Sequence, residues 1–111
     1  YARGVALRRI GKPEEAIADF AWAIKIEPDH YWATVHLGML TWLVTQDAEK
    51  AEQLLQHAIE IAPEKSYGYL NLAQFYQLTN RKEDAVRIYK NLLLKDPTNQ
   101  EAHEQLNSLV K

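Results

Sequence analysis

Apolar residues recur along the chain at intervals of three and four, the spacing that gathers side chains on one face of an α-helix. The pattern is written three times, because AIADFAWAIKIEP, AEQLLQHAIEIAP and AVRIYKNLLLKDP follow one another at steps of 35 and 34 residues. Proline cannot continue a helix, so each copy predicts a helix that ends just before its last residue. The copies open and close at Ala16 and Pro28, Ala51 and Pro63, and Ala85 and Pro97.

A second helix is predicted ahead of each of the two later copies, over residues 31–45 and 66–79, because the helical spacing continues there. Small residues stand at matching places in the three units, at steps of 34 and 35: Gly4, Gly38 and Ala73. The one extra residue of the middle unit therefore falls between Gly38 and Ala51. We expect it in the turn at 44–47.

Residues that favour helix starts agree with this division. Asp47 is a good N-cap, and so is Asn80, which has a glutamate three residues later. Thr98 with Glu101 forms a capping box for a last helix over 98–110. The sequence thus predicts seven helices and no strand: a truncated first pair, two complete pairs and one terminal helix.

The helix–turn–helix unit resembles the tetratricopeptide repeat (TPR), whose pattern is W-x2-L-G-x2-Y, then A-x3-F, then P. Three copies in phase cover nearly the whole chain. The matching residues are Tyr69-x2-Leu72-Ala73-x2-Tyr76, Ala85-x3-Tyr89 and Pro97 in the third unit, Thr34-x2-Leu37-Gly38-x2-Thr41, Ala51-x3-Leu55 and Pro63 in the second, and Gly4, Ala16-x3-Phe20 and Pro28 in the first.

The resemblance implies an all-α fold, a right-handed α-solenoid of about three stacked helix pairs. It implies one domain over 1–111, with a truncated repeat at 1–30, repeats at 31–65 and 66–99, and a C-terminal capping helix at 100–111. A lone unit cannot bury its apolar face, so neighbouring units must stack.

Small residues in the pattern have a physical purpose, because they let the two helices of a unit cross closely. We expect Gly38 to face Ala51 at such a crossing. Large residues one turn further on, at Phe20, Leu55 and Tyr89, are expected to fill the space up to the next unit.

Composition narrows the class of protein. The chain has 111 residues, of which 47% are hydrophobic and 25% charged, and a net charge of −2, so no overall field attracts nucleic acid or an anionic membrane. It has no cysteine, and no apolar run approaches the roughly 18 residues of a membrane span. Because it begins without methionine in a helical pattern, we interpret it as a fragment of a longer, soluble protein. The compartment stays open, with the cytoplasm favoured.

Catalytic and cofactor motifs are missing from the sequence. It has no glycine-rich phosphate loop and no His-Glu-x-x-His motif. No two of its four histidines stand four residues apart, so a zinc site is not expected: His30, His36, His57 and His103. The paired carboxylates of KPEE and RKED fit the N-terminal ends of helices. We expect no enzyme activity, cofactor or metal within this chain.

In proteins of the TPR family, the first helix of each unit lines an inner groove. Trp32, Met39 and Trp42 would form an apolar surface there of the kind that partners bind, and Arg8 and Arg9 would pair with an acidic group. The predicted function is a non-catalytic interaction or scaffold module that holds a peptide or protein segment in this groove. By spacing, the lining would include Arg8, Arg9, Trp32, Val35, His36, Met39, Trp42, Tyr67, Asn71 and Gln74.

Other interpretations remain open at this point. The two tryptophans and Met39 would otherwise pack in the core, between repeats or against flanking repeats, and the two arginines would be solvated charges. A second function is self-association through apolar residues of the first helix, Val5, Leu7 and Ile10. A third is a regulatory or docking arm of a larger enzyme.

Two narrower functions are disfavoured. Co-chaperone TPR domains hold the C-terminal carboxylate of heat-shock chaperones with lysine, asparagine and arginine. Only Asn71 has a familiar residue type, at a place expected to be basic, so we expect no such carboxylate clamp. The corresponding places, in two registers, are Tyr1, Val5, His36, Tyr67 and Asn71, or Val35, Met39, Asn71, Glu101 and Gln105. RNA-binding pentatricopeptide proteins have a similar period, but a near-neutral chain with a hydrophobic groove disfavours nucleic acid.

Overall fold

The computed structural model describes residues 13–110. Most of these residues are helical. Six α-helices lie in that range, and no strand is found there. The predicted first helix falls on residues 1–12, outside the described residues. The helices are α1 Pro13–Ile26, α2 Tyr31–Thr45, α3 Ala48–Ile61, α4 Ser66–Leu78, α5 Lys82–Lys95 and α6 Gln100–Leu109.

Proline and capping residues set most of the helix ends, as predicted. Helices α1, α3 and α5 each end two residues before a proline. Asp47 caps α3, because its side chain accepts a hydrogen bond from the Lys50 backbone N–H at 3.2 Å. His30 caps α2 through its ring Nδ1, which accepts from the Ala33 N–H at 3.2 Å.

Two predicted caps are wrong. Asn80 has φ 62° and follows the end of α4, whereas an N-cap residue needs extended backbone. Asparagine tolerates this left-handed conformation, so Asn80 lies at the C-terminal end of α4 and does not cap α5. Thr98 does not cap α6 either, since the N-cap is Asn99, whose side chain accepts from the Ala102 N–H at 2.9 Å.

The extra residue of the middle unit lengthens a helix instead of enlarging a turn. Helix α2 has 15 residues where α4 has 13, while the connection after α2 is two residues long and the one after α4 is three. Gln46 closes α2 with φ 56° and donates its backbone N–H to the Trp42 carbonyl.

Each described helix packs against the next, and α2 also packs against α4, which places first helices of successive units side by side. Ala16, Ala51 and Ala85 are fully buried, but the atoms nearest to a Cβ on residue 38 belong to Leu54 and Leu55, not to Ala51 as expected. The predicted space-filling residues are buried as well: Phe20, Leu55 and Tyr89. This stacking of helix pairs confirms the predicted all-α solenoid.

Helices α2 and α4 contain no charged residue, whereas α3, α5 and α6 contain several each. Helix α2 packs on α1, α3 and α4, so water reaches only a narrow strip of it. A helix enclosed in this way cannot solvate ionised side chains, which explains its almost continuous apolar sequence.

A buried hydrogen bond links the two complete units. The Tyr31 hydroxyl of α2 accepts from the Gly68 backbone N–H of α4 at 2.7 Å. This N–H belongs to the first turn of α4, where no partner exists within the helix. A Cβ atom on residue 68 would lie 3.2 Å from the Tyr31 oxygen, so glycine leaves room for the contact.

A charged network joins α3 to the turn between α4 and α5. The Glu52 carboxylate accepts hydrogen bonds from the Tyr76 hydroxyl and the Arg81 guanidinium, both at 2.7 Å. Arg81 also donates to Asp84 at 2.9 Å and lies over the Tyr76 ring, 4.4 Å from its centre. Burial alone would raise the pKa of Glu52, but the hydrogen bonds and charge of Arg81, with the Tyr76 hydroxyl, hold that pKa below its ordinary value of 4.5.

Glu52 is expected to make stability depend on pH. Its pKa is lower in the folded chain, so its contribution is complete above the unfolded value and is lost as the pH falls through the folded value. Because the Arg81 side chain is 41% exposed, solvent screens the pair, and Glu52→Gln should cost only about 1 kcal/mol at pH 7. Urea unfolding at pH 7 and at about pH 3 should show a smaller acid-induced loss in Glu52→Gln than in wild type.

The matched control is Glu60→Gln, an exposed change on the same helix. It should leave the acid-induced loss at its wild-type size. An equal loss in wild type and Glu52→Gln would show that this carboxylate is not stabilised in the folded chain.

Candidate functional site

Three of the residues predicted for the groove form one aromatic cluster, which lies where the first turns of α2 and α4 meet. The Trp32 and Tyr67 ring centres are 5.2 Å apart. The His36 ring meets Tyr67 edge to face at 6.0 Å and stacks on Phe20 of α1 at 5.1 Å with an interplanar angle of 17°. Trp32 remains 38% exposed, so the cluster has a face open to solvent.

The ammonium group of a lysine lies over two aromatic rings at the edge of this cluster. The Lys65 ammonium lies 5.0 Å from the Tyr31 ring centre and 5.2 Å from that of Trp32. Lys65 is the residue just before α4, so its positive charge lies beside the first turn of that helix. Cations are attracted to the electron-rich faces of aromatic rings.

The other predicted residues of α2 have smaller exposed surfaces. Val35 is fully buried and Met39 is 6% exposed, and both belong to the main core. Buried there, they present almost no surface that a ligand could touch. Trp42 is half-buried and rests edge to face on Phe75, with ring centres 5.8 Å apart.

A pocket of about 340 Å³ lies between α4 and α6. It begins beside the aromatic cluster, since Tyr67 belongs to both. Helix α4 lines most of its length, with Tyr89 of α5 and two residues of α6 on the other side. The lining residues are Tyr67, Leu70, Asn71, Gln74, Gln77, Leu78, Tyr89, Glu101 and Gln105.

Two amide side chains in this pocket donate hydrogen bonds within the chain. Asn71 Nδ2 donates to the Tyr67 backbone carbonyl at 2.8 Å, and Gln77 Nε2 donates to the Tyr89 hydroxyl at 2.7 Å. Burial, reinforced by the negative charge of Glu101, raises the pKa of Tyr89 to about 12, so this hydroxyl stays protonated at neutral pH.

The structure brings some predicted residues together and leaves others untested. Tyr67, Asn71 and Gln74 share the pocket, whereas Arg8 and Arg9 lie outside the described residues. Sequence reasoning did not place Lys65, Leu78 or Tyr89 at the site, and it considered Glu101 and Gln105 only as clamp positions. A signal for those two existed, since they follow Tyr67 and Asn71 by one repeat length of 34 residues.

The described residues limit the chemistry of the site. Among residues 13–110, no three of His, Asp or Glu come together in a way that would hold a metal ion. No helix in this range has the length and apolar character needed to cross a membrane.

Comparison with known proteins agrees with the geometry. A family model described as a tetratricopeptide repeat matches residues 45–108, more than half of the chain, and a second model of the same description matches residues 1–30. The chain belongs to the tetratricopeptide repeat family. The first match runs from the end of α2 into α6, and the second includes α1.

Solved TPR domains superpose on almost the whole chain. The second TPR domain of human RPAP3, in complex with the HSP70 peptide SGPTIEEVD, has a TM-score of 0.85 and 23% identity over 99% of this chain and 91% of that one. The first TPR of Spaghetti (RPAP3), bound to the HSP90 peptide SRMEEVD, has a TM-score of 0.85 and 18% identity over 98% and 88%. An O-GlcNAc transferase of Thermobaculum terrenum gives 0.84 and 20% over 98% of this chain and 21% of its own. At these identities the likeness shows the fold.

Proposed function

We propose that this chain is a non-catalytic protein-interaction module that holds a peptide or protein segment along its concave face. The observation that carries the proposal is the half-open cluster of Trp32, His36 and Tyr67, continuous with the pocket between α4 and α6. Aromatic side chains on rigid helices supply large contact area at small entropic cost, and interfaces are enriched in them.

Two structurally similar TPR domains hold peptides, which supports a peptide ligand for this fold. Those peptides end in the acidic sequence EEVD. The lysine and arginine expected for a carboxylate clamp correspond in this chain to Glu101 and Gln105 in one register. The proposed ligand is therefore an internal segment rather than an acidic chain end.

The alternative functions have weaker support. Self-association was predicted through Val5, Leu7 and Ile10, which lie outside the described residues, and no observation favours it. A docking arm of a larger enzyme is compatible with the transferase that contains a similar fold over 21% of its length. An arm of that kind would use the same groove.

Trp32→Ala is the test of this proposal. Peptides that bind the wild-type chain are first selected from a synthetic library of random decapeptides with acetylated and amidated ends. Loss of a central aromatic anchor is expected to weaken their binding by about 2 kcal/mol, roughly 30-fold in Kd. Fluorescence polarisation of the labelled peptides gives the dissociation constants.

Trp22→Ala is the matched control, because Trp22 is 60% exposed on α1 and belongs neither to the aromatic cluster nor to the pocket lining. It should leave the affinity unchanged. Circular dichroism checks that both variants keep wild-type helicity. If no peptide is selected, or if folded Trp32→Ala binds as tightly as wild type, the chain does not use this groove.

A further inference from the structure

Charge is distributed unevenly around the pocket between α4 and α6. Helix α4 contributes no charged residue. Of the nine residues that line the pocket, Glu101 alone carries a formal charge at neutral pH. It is exposed on the first turn of α6, so the pocket presents a negative charge to any group that enters.

Asn71 contributes a hydrogen-bond acceptor to the same pocket. Asn71 is only 8% exposed, and a backbone carbonyl, which can only accept, fixes its amide nitrogen toward Tyr67. The Asn71 Oδ1 therefore faces the other way, and no described residue donates to it. This oxygen is therefore available to a donor of a ligand.

We propose that this pocket receives a basic side chain, lysine or arginine, from the bound segment; this rests on the proposed function of the groove. The ammonium or guanidinium would pair with the Glu101 carboxylate and donate to the Asn71 oxygen, while its aliphatic stem lies on Tyr67. Ammonium and guanidinium groups have only donors, so they match the two acceptors named here, the Glu101 carboxylate and the Asn71 oxygen.

The charges also orient the ligand. Lys65 lies over Tyr31 and Trp32, two rings that do not line the pocket, and its positive charge disfavours a second basic group there. The basic side chain is therefore directed toward α6, with the apolar part of the segment over Trp32 and Tyr67.

The experiment uses peptides selected from the end-blocked decapeptide library. The selected set is expected to contain lysine or arginine at one fixed distance from an apolar residue. Changing that basic residue to glutamine should weaken binding to wild type by about five- to tenfold at low salt. The same peptide change should have almost no effect on Glu101→Gln.

Glu104→Gln is the matched control, because Glu104 lies one turn later on α6 and does not line the pocket. It should keep the wild-type preference for the basic peptide. Peptides without a basic residue, or an undiminished preference in Glu101→Gln, would overturn this inference while leaving the groove proposal standing. Failure to select any peptide would overturn both.

Discussion

Replacing Phe75 with alanine is expected to lower the free energy of unfolding by about 3–5 kcal/mol. Phe75 is fully buried in α4 and touches two other rings, those of Trp42 at 5.8 Å and Tyr76 at 5.7 Å. Truncation would remove these contacts and leave a cavity between the two complete repeats. Domains of this size are stable by only about 5–15 kcal/mol, so much of the stability would be lost.

Urea denaturation followed by circular dichroism measures this effect. The control is Leu78→Ala, one turn later on the same helix, where the side chain is 49% exposed and the change should stay within about 0.5 kcal/mol. Equal stabilities of Phe75→Ala and Leu78→Ala would mean that α4 does not pack as the structure places it.

Leu55→Ala should be the second large loss, about 2–5 kcal/mol. Leu55 is fully buried in α3, where it faces Gly38 of α2. A Cβ atom on residue 38 would lie 2.9 Å from Leu55 Cγ and 3.0 Å from its Cδ2, which is too close without a shift of the leucine. The two residues thus share one volume between helices of the same repeat.

A double-mutant cycle tests this shared volume. Gly38→Ala should destabilise the wild type. The clash of the new methyl group with Leu55 is expected to cost more free energy than the gain of about 1 kcal/mol from alanine's higher helix propensity. In the Leu55→Ala background the same change should cost less, because the clashing Leu55 atoms are gone and the nearest other atom, Leu54 Cβ, lies at 3.3 Å. Thermal or urea unfolding of all four proteins gives the coupling energy. Additive effects would contradict the proposed crossing.

Local patterns predicted helix positions well and some helix ends poorly. The period of the apolar residues placed α2 at 31–45, as found, and the prolines marked the ends of α1, α3 and α5. Asn80 was misassigned because asparagine suits both an N-cap and a left-handed helix end, and only the course of the backbone decides between them.

Predictions of the site depended on two kinds of information. The repeat length placed Trp32, His36 and Tyr67 on equivalent faces, and the structure brings their rings together. Whether a residue on that face is open to a ligand depends on what packs beside it. Val35 shares the predicted face with Trp32 yet is fully buried.

The sequence by itself determined the helices, the repeated pattern typical of the TPR family and the absence of charge from α2 and α4, because each follows from periodicity and residue type along the chain. The repeat length puts Glu101 at the place that corresponds to Tyr67, but only the tertiary structure decided that the two residues line one pocket. The tertiary structure also decided that the Asn71 oxygen has no donor in the described chain. Exposure, free hydrogen-bonding groups and local charge arise between segments distant in sequence, and only the stacking of repeats sets which segments meet.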